Sequence, residues 1–229
     1  MSIEPGDSAV TYLPTLALRS VVWFPGVEFK LFVGTEVNVR VIAAAMVNRG
    51  LFATFALRDD RSRRPTTRAE LSDMGVMATV QSMFRLPDGH IKLAVCGGER
   101  VLAGSEVVDR DGIPTIQVSA VNAGSFPAPP NYVQILENFA RRAPALRSLL
   151  SDDEFLSLPR LGEPGYLADL IGARLTVVPF GARQELLQTL DPWQRLEKAT
   201  ELLATLTPPA MDIGKASEAI AKWLKTRLR

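Results

Sequence analysis

Residues 76–95, VMATVQSMFRLPDGHIKLAV, decide the fold of the first half of this chain. Apolar residues alternate with others from Val76 to Phe84, and they alternate again after the turn up to Val95, as they do in strands that bury one face. Between the two runs stands Leu86-Pro87-Asp88-Gly89, where proline fixes φ and glycine accepts the left-handed backbone that a return strand requires. The stretch therefore predicts a β-hairpin.

Short apolar runs on both sides of this hairpin predict further strands. They lie at 16–18, 21–24, 29–33 and 52–57 before the hairpin, and at 101–108 and 113–121 after it, the last two joined by a turn at Asp109-Arg110-Asp111-Gly112. From Thr35 to Asn48 the apolar residues recur at helical spacing, and Gly50 follows as a stop signal. Many short strands linked by tight turns, with one inserted helix, predict a small closed or half-closed β-barrel.

The period changes to that of a helix after the Gly/Pro/Ser-rich stretch 122–130. Apolar stripes begin at Tyr132, Tyr166 and Gln184, and a fourth follows Asp191-Pro192-Trp193-Gln194, which carries an N-cap acid and proline at the first helical position. Such stripes are buried only when helices pack on each other, so this half predicts a compact helical bundle.

These patterns predict an α+β chain made of two subdomains. We expect an N-terminal tail at 1–12, a β-rich subdomain with one inserted helix at 13–124, a linker at 125–130, a helical bundle at 131–206 and a basic amphipathic helix at 207–229.

Composition excludes several classes of protein. The 229 residues carry a formal net charge of +1, which provides no overall field for nucleic acid or an anionic membrane. A single cysteine, Cys96, excludes an internal disulfide. The first ten residues have no apolar core typical of a secretory signal, and the longest apolar run is far shorter than the ~20 residues of a membrane span. We therefore expect a cytoplasmic protein.

The sequence contains no pattern that predicts catalysis. With one histidine, His90, and one cysteine it cannot form a Cys/His zinc site. We interpret His90 as a solvated turn residue and Cys96 as a small hydrophobic residue. The one Gly-Lys pair, Gly214-Lys215, lacks the upstream glycine and the following Ser or Thr of a P-loop. We predict no catalytic residues, metal or cofactor, and hence no enzyme.

Two charged features remain. A loop holding Arg58, Arg61, Arg63, Arg64 and Arg68 is either an anion site or, as its interspersed acids favour, a solvated and partly self-neutralised segment. The C-terminal segment carries an apolar stripe that includes Trp223 together with a basic face. This amphipathic pattern predicts a helix that docks on its own bundle, meets another subunit or touches a membrane surface, with docking on protein as the default.

Several motifs, in order, resemble the N-terminal domain of Lon proteases. They are Leu13-Pro14-x-Leu16-x-Leu18-Arg19-x-Val21-Val22-x-Phe24-Pro25-Gly26, Leu31-Phe32-Val33-Gly34, the hairpin from Gly75-Val76 to Lys92, Leu167-Ala168-Asp169-Leu170-Ile171, Gln184-Glu185-Leu186-Leu187, Leu190-Asp191 and Arg195-Leu196-Glu197. The resemblance runs from about Leu13 to Leu206.

This resemblance implies a PUA-like β-rich subdomain followed by a helical bundle, in a module that recognises proteins for ATP-dependent proteolysis. In the family an ATPase and a Ser–Lys peptidase follow the module, after a long helix. Here Thr207-Pro208-Pro209 interrupts that helix. The chain is thus interpreted either as a fragment of a Lon protease or as a stand-alone Lon-domain protein, and the break favours the second.

Two functions of different class follow. In the first, the module captures unfolded or tagged polypeptides, or a protease or ATPase partner, through exposed apolar and backbone surface. Trp23, Phe24, Phe29 and Trp223 are the candidate partner-binding residues, although core packing is the alternative role for each aromatic beside the Pro25-Gly26 turn. In the second, a stand-alone PUA-like module binds RNA or a small ligand. The near-zero charge and the lack of a basic–aromatic stripe argue against RNA.

Overall fold

The computed structural model describes residues 11–58, 67–121, 124–146, 149–150 and 163–206. The chain divides into two compact units, Met1–Asn122 and Ala123–Arg229. The predicted helix at 207–229 lies outside the described residues, and so does most of the predicted N-terminal tail. The finer subdomain and linker boundaries stay predictions.

The first unit contains a mixed sheet and one α-helix. Its elements are β1 Thr11–Leu18, β2 Glu28–Val33, α1 Glu36–Val47, β3 Leu51–Ala56, a 3-10 turn Arg68–Glu70, β4 Met74–Arg85, β5 Ile91–Arg110 and β6 Ile113–Ala120. The strand order is β2-β5-β4-β3-β1-β6, and β6 also pairs with β5. β1 and β3 run parallel, whereas the other pairs are antiparallel. From β5 the strand pairing therefore runs through β4, β3 and β1 to β6, and β6 pairs with β5 again.

The hairpin predicted at 76–95 is confirmed, and β4 and β5 are its two strands. The Gly89 amide donates to the carbonyl of Leu86 at 3.0 Å, and the Leu86 amide donates to the carbonyl of His90 at 2.8 Å. Gly89 has a φ of +85°, the left-handed conformation for which glycine was predicted at this position.

The second predicted hairpin exists, but its turn is shorter than expected. Asp109 and Arg110 are paired within the ladder, opposite Pro114 and Ile113. Only Asp111 and Gly112 form the turn, with φ of +56° and +73°, which is the pattern of the two-residue turn that suits the twist of paired strands. The two strands predicted at 91–95 and 101–108 are in fact one strand, β5, of 20 residues.

A β-bulge after Val80 turns the later side chains of β4 to the opposite face of the sheet. Val80 lies opposite Val95, but the next pair is Ser82 with Ala94, so the ladder shifts register between them. The alternation of Phe84 with Val76 and Val80 predicts that its side chain faces the core. Because an extra residue moves every later side chain to the other face, Phe84 faces away from the core instead. Phe84 is 71% exposed.

The inserted helix α1 confirms the prediction at 35–48. Thr35 is its N-cap and accepts a hydrogen bond from the Asn38 amide at 3.4 Å. Its inner face packs into the first of two apolar clusters, with residues from β1, β2, β3, β4 and β5. The buried members of this cluster are Leu16, Trp23, Val33, Val41, Ile42, Ala45, Phe52, Ala78, Ile91, Leu93 and Val95. A second cluster, which includes Leu13, Phe55, Val101 and Ile116, lies around β1, β3, β5 and β6.

The apolar block 21–24, predicted as a strand, lies outside any strand. The residues that follow it are held against β5, because the Gly26 amide donates to the Gly97 carbonyl at 2.8 Å and the Gly97 amide donates to the Val27 carbonyl at 2.9 Å. A Cβ on Gly97 would lie 2.2 Å from the carbonyl oxygen of Phe24. The close approach of the two backbones therefore requires glycine at position 97.

The second unit consists of helices among its described residues. These are α2 Tyr132–Leu146, α3 Pro164–Arg174, α4 Phe180–Gln188 and α5 Pro192–Leu206. The predicted cap of α5 is confirmed, since one carboxylate oxygen of Asp191 accepts from the Trp193 amide at 2.8 Å and from the Gln194 amide at 3.3 Å. With the first unit, the described residues form a mixed sheet and five α-helices, and the α+β class is confirmed.

A buried ion pair joins α3 to α5. The Arg195 Nε lies 3.1 Å from the Asp169 Oδ1, and the two side chains are 6% and 5% exposed. The Arg195 Nη1 also donates to the carbonyls of Thr189 and Leu190 at 2.6 and 2.9 Å. One guanidinium thus binds α3 and the turn that precedes α5. No helix in the described ranges is long and apolar enough to cross a membrane.

Candidate functional site

The aromatic residues predicted from the sequence to bind a partner lie in the core wherever they are described. Trp23 and Phe24 are 4% and 0% exposed. Phe29 is half-buried, and its ring stacks on Trp23 with centroids 4.9 Å apart. Trp23 also meets Phe52 edge-on. These three side chains therefore have the core role that the sequence left open beside partner binding. Trp223 lies outside the described residues, and the partner-binding prediction itself stays untested.

A different pair of aromatic side chains is exposed on the first unit. Phe32 on β2 and Phe84 on β4 are 67% and 71% exposed. Both lie directly opposite Lys92, on the strand between them, so the three side chains form one row across three strands on the same face of the sheet. We name this row, together with the next row on the same face, the aromatic face; its residues are Phe32, Lys92, Phe84, Lys30, Ala94 and Ser82.

The lysine of the central row interacts with an aromatic ring. The Lys92 Nζ lies 5.7 Å from the centroid of the Phe32 ring, within the range of a cation–π interaction. Directly opposite side chains on neighbouring strands are about 5 Å apart, so both phenyl rings flank the lysine stem. The result is an exposed apolar surface with a positive charge at its centre.

The strand that carries Phe84 also has an open backbone edge. β3 pairs with β4 only from Val76 to Thr79, while β4 continues to Arg85. Residues 81–85 are all exposed, and on the side away from β5 they have no strand partner among the described residues. Open edges of this kind accept extended polypeptides by forming additional ladder hydrogen bonds.

The hairpin turn beside the aromatic face is rigidly built. The Asp88 carboxylate accepts from the His90 amide at 3.0 Å, and its second oxygen lies 3.0 Å from the His90 Nδ1. These contacts with His90, above all the backbone hydrogen bond, hold the pKa of Asp88 below its ordinary value. The His90 ring covers Gly34, where a Cβ would lie 2.3 Å from it. His90 thus links the turn to the end of β2, and it is half-exposed as a turn residue.

The described part of the arginine-rich loop is occupied by internal contacts. Arg58 and Arg68 bind the two oxygens of Asp73 at 2.7 and 2.5 Å, and both also donate to the carbonyl of Leu71. The hydrogen bonds from Arg58 and Arg68 lower the pKa of Asp73. Pairing of this kind agrees with the self-neutralised interpretation; Arg61, Arg63 and Arg64 lie outside the described residues.

Other candidate chemistry is sparse. Across the described ranges no group of three or more His, Cys, Asp or Glu side chains is placed to hold a metal ion. Cys96 is half-buried, and its Sγ lies 3.6 Å from the Gly97 carbonyl. A cleft between α2 and α5 has Arg141, Arg142, Glu197 and Glu201 in its wall, so its charges are balanced. The aromatic face is therefore the surface with the clearest capacity to bind.

Sequence reasoning overlooked both exposed aromatics, for different reasons. The alternation of Phe29, Leu31 and Val33 as inward residues carries a signal for Phe32, because its position in between points outward. No such signal exists for Phe84. Its exposure depends on the bulge after Val80, and the alternating pattern runs through that position without a break.

Comparison with known proteins places the chain in a family. Residues 12–205 match the family model of the ATP-dependent protease La (LON) substrate-binding domain. A Lon protease of Solibacter usitatus is 30% identical over 194 residues, which cover 83% of this chain and 24% of that protein. A Lon protease of Xanthomonas oryzae pv. oryzae is 30% identical over 223 residues, covering 94% and 25%. The chain thus spans about a quarter of the length of these curated relatives.

Solved structures show the same fold. The N-terminal domain of a Mycobacterium avium complex Lon protease has a TM-score of 0.63 at 20% identity, covering 85% of this chain and 98% of that one. A Lon N-terminal domain protein from Xanthomonas campestris has a TM-score of 0.61 at 20% identity, covering 86% and 99%. At this identity the likeness concerns the fold alone.

Proposed function

This chain belongs to the Lon substrate-binding domain family, and from that premise we propose that it is a non-catalytic module that binds polypeptides for ATP-dependent proteolysis. The relatives are about four times as long as the stretch they share with it. In this proposal the ATPase and peptidase work belongs to other parts of a Lon protease, on the same chain or on a partner.

The aromatic face is the observation that carries the proposal. Phe32 and Phe84 remain mostly exposed, although burying a large apolar side chain stabilises a protein by about 1.5–3 kcal/mol. Two such residues side by side form an apolar patch of the kind that binds other proteins. Unfolded polypeptides expose apolar side chains together with unpaired backbone groups. The apolar patch can bind the apolar side chains, and the open edge at 81–85 can form hydrogen bonds with the backbone groups.

The finer architecture supports binding by a rigid platform. We assign the returning path of strands to a PUA-like barrel, and the four described helices of the second unit to a bundle. Trp23 and Phe29 support the aromatic face from the core side, because their stacked rings lie beneath the strand that carries Phe32. Contact of Trp223 with a partner belongs to the same proposal and is tested by removal of the C-terminal segment.

The proposal is tested by the binding of an unfolded, casein-like protein to the full chain and to the double variant Phe32→Ser/Phe84→Ser. We expect the double variant to bind about tenfold or more weakly, since aromatic anchors at interfaces commonly contribute more than 1 kcal/mol each. Its unfolding midpoint should not fall, because both side chains are mostly exposed. Val177→Ser, at a side chain of the second unit that is 74% exposed, is the matched control and should bind as the parent does.

Equal binding by the parent and the double variant would refute the aromatic face as the binding surface. Single-stranded RNA is the competing ligand, and it should be measured in parallel at two salt concentrations. Tight RNA binding that weakens steeply with salt, without binding of the unfolded protein, would replace the proposal with a nucleic-acid function.

A further inference from the structure

The aromatic face combines its apolar surface with uncompensated positive charge. Lys92 stands between the two phenyl rings, and Lys30 occupies the neighbouring row on the same face. The positions opposite and diagonal to Lys92 hold aromatic, small or basic residues, and none holds a carboxylate. Within the described ranges the Lys92 ammonium lies over the ring of Phe32 and forms no ion pair.

The acidic residues near this face are displaced or engaged. Glu28 lies on the same face, but in the row beyond Lys30, opposite Cys96. Asp88 belongs to the turn, where His90 binds both of its carboxylate oxygens. The centre of the aromatic face is therefore positive, although the chain as a whole is almost neutral at +1.

From this arrangement we infer that the aromatic face selects extended polypeptide segments in which an aromatic or apolar residue is flanked by acidic residues. The inference rests on the proposed function and names its substrate class. Contact with the two rings depends on apolar area and is indifferent to charge, whereas charge complementarity adds specificity and accelerates association. In an extended segment the residues beside a central aromatic lie about 3–7 Å along the chain, within reach of the flexible stems of Lys92 and Lys30.

A polypeptide fits these observations better than a single-stranded nucleic acid. Platforms for single strands combine stacking aromatics with a positive groove that follows the phosphate backbone over several nucleotides. The aromatic face has two lysines, and its two phenyl rings are separated by the full width of β5, about 10 Å for two strand spacings. In an extended peptide, one apolar side chain can contact a phenyl ring while the acidic side chains next to it reach the two lysines.

The inference is tested with three unstructured peptides of equal length, each with one central phenylalanine flanked by aspartate, asparagine or lysine. Binding to the full chain is measured by fluorescence anisotropy at low salt and at about 0.5 M salt. We expect the aspartate peptide to bind about two- to fivefold more tightly than the asparagine peptide, the scale of one exposed ion pair, and the lysine peptide to bind most weakly. High salt should remove the difference between the peptides.

Variants assign the effect to the two lysines. Lys92→Gln should reduce the preference for aspartate, Lys30→Gln/Lys92→Gln should abolish it, and Lys30→Glu/Lys92→Glu should reverse it in favour of the lysine peptide. Lys198→Gln is the control of equal charge, because Lys198 lies on α5 of the second unit and pairs there with Glu185 at 2.6 Å. This control should retain the preference of the parent chain.

Three outcomes separate this inference from the function on which it rests. Equal affinity for the aspartate and asparagine peptides, with binding still weakened by Phe32→Ser/Phe84→Ser, overturns the charge selection and leaves the proposed function intact. Binding of all three peptides that is insensitive to the double variant overturns both. A single-stranded oligonucleotide that binds more tightly than any of the peptides, and depends on Phe84 and Lys92, assigns the face to nucleic acid and also overturns both.

Discussion

Replacement of Asp169 by alanine should destabilise the second unit far more than the loss of one surface charge would. Asp169 and Arg195 are 5% and 6% exposed, so the variant removes the Asp169 carboxylate from beside a buried guanidinium. Breaking a buried ion pair by removal of one partner costs about 3–5 kcal/mol, although the two backbone carbonyls that Arg195 also binds favour the lower part of this range. Domains are stable by about 5–15 kcal/mol, and we therefore expect a folded but weakened unit.

The assay is urea unfolding followed by the helical signal in circular dichroism, because four of the five described α-helices lie in the second unit. With a typical slope of 1–3 kcal/mol per molar urea, the midpoint should fall by about 1–3 M. Glu185→Gln is the matched control, because it removes an exposed ion pair. The side chains of Glu185 and Lys198 in this pair are 66% and 41% exposed. This control should leave the midpoint unchanged.

A double variant, Asp169→Leu/Arg195→Met, separates the buried charge from the packing. If the cost arises from the buried guanidinium that has lost the Asp169 carboxylate, removal of both charged groups should recover much of the lost stability, since well-packed apolar residues often replace a buried pair at little cost. A loss below about 1 kcal/mol in Asp169→Ala, or a double variant as unstable as the single one, would show that the pair does not stabilise this unit.

Four further outcomes are expected. Gly97→Ala should destabilise the first unit by at least ~2 kcal/mol in chemical unfolding, because its Cβ meets the Phe24 carbonyl at 2.2 Å and displaces two backbone hydrogen bonds; an unchanged midpoint would contradict the close approach. Gly89→Val should cost about 1–3 kcal/mol through its positive φ alone, since no other atom lies within 4 Å of the added Cβ, and an unaltered melting temperature would show that the turn tolerates the strain. Asp73→Asn should lower stability at neutral pH; because pairing with two arginines lowers the pKa of Asp73 below its ordinary value of 3.8, the difference from the parent should vanish as the pH falls through that lowered pKa. Removal of residues 212–229 should leave both units folded and reduce self-association in sedimentation, and an identical monomeric mass with a large loss of stability would place that segment on its own chain instead.

Local sequence chemistry predicts the turns and caps of this fold well. The proline and glycine of the first hairpin and Asp191 before α5 each act within four residues of their position, so the short-range pattern contains all that is needed. The α+β class follows from the same patterns, because the change of period near residue 122 separates strands from helices.

Features that depend on distant contacts escaped prediction. The block 21–24 is apolar enough for a strand, but the residues that follow it, Gly26 and Val27, pair with Gly97, about seventy positions away. Phe84 continues the inward alternation of β4 in the sequence, but a bulge set by the pairing with β5 turns it outward. The candidate site consists of residues from three strands, and its central lysine has no local signal, since only the register of β5 between β2 and β4 places it between two rings.

The long strand β5 also implies an order in which the first unit assembles. The β4–β5 hairpin joins residues as close as Arg85 and Ile91, whereas β1 must find β6, where Thr11 faces Val118. Since the entropy lost in closing a loop grows with its length, the hairpin is expected to form early and β1 to dock late. During synthesis β1 leaves the ribosome before β3 and β6 do, so both of its edges are paired only after those later strands have emerged.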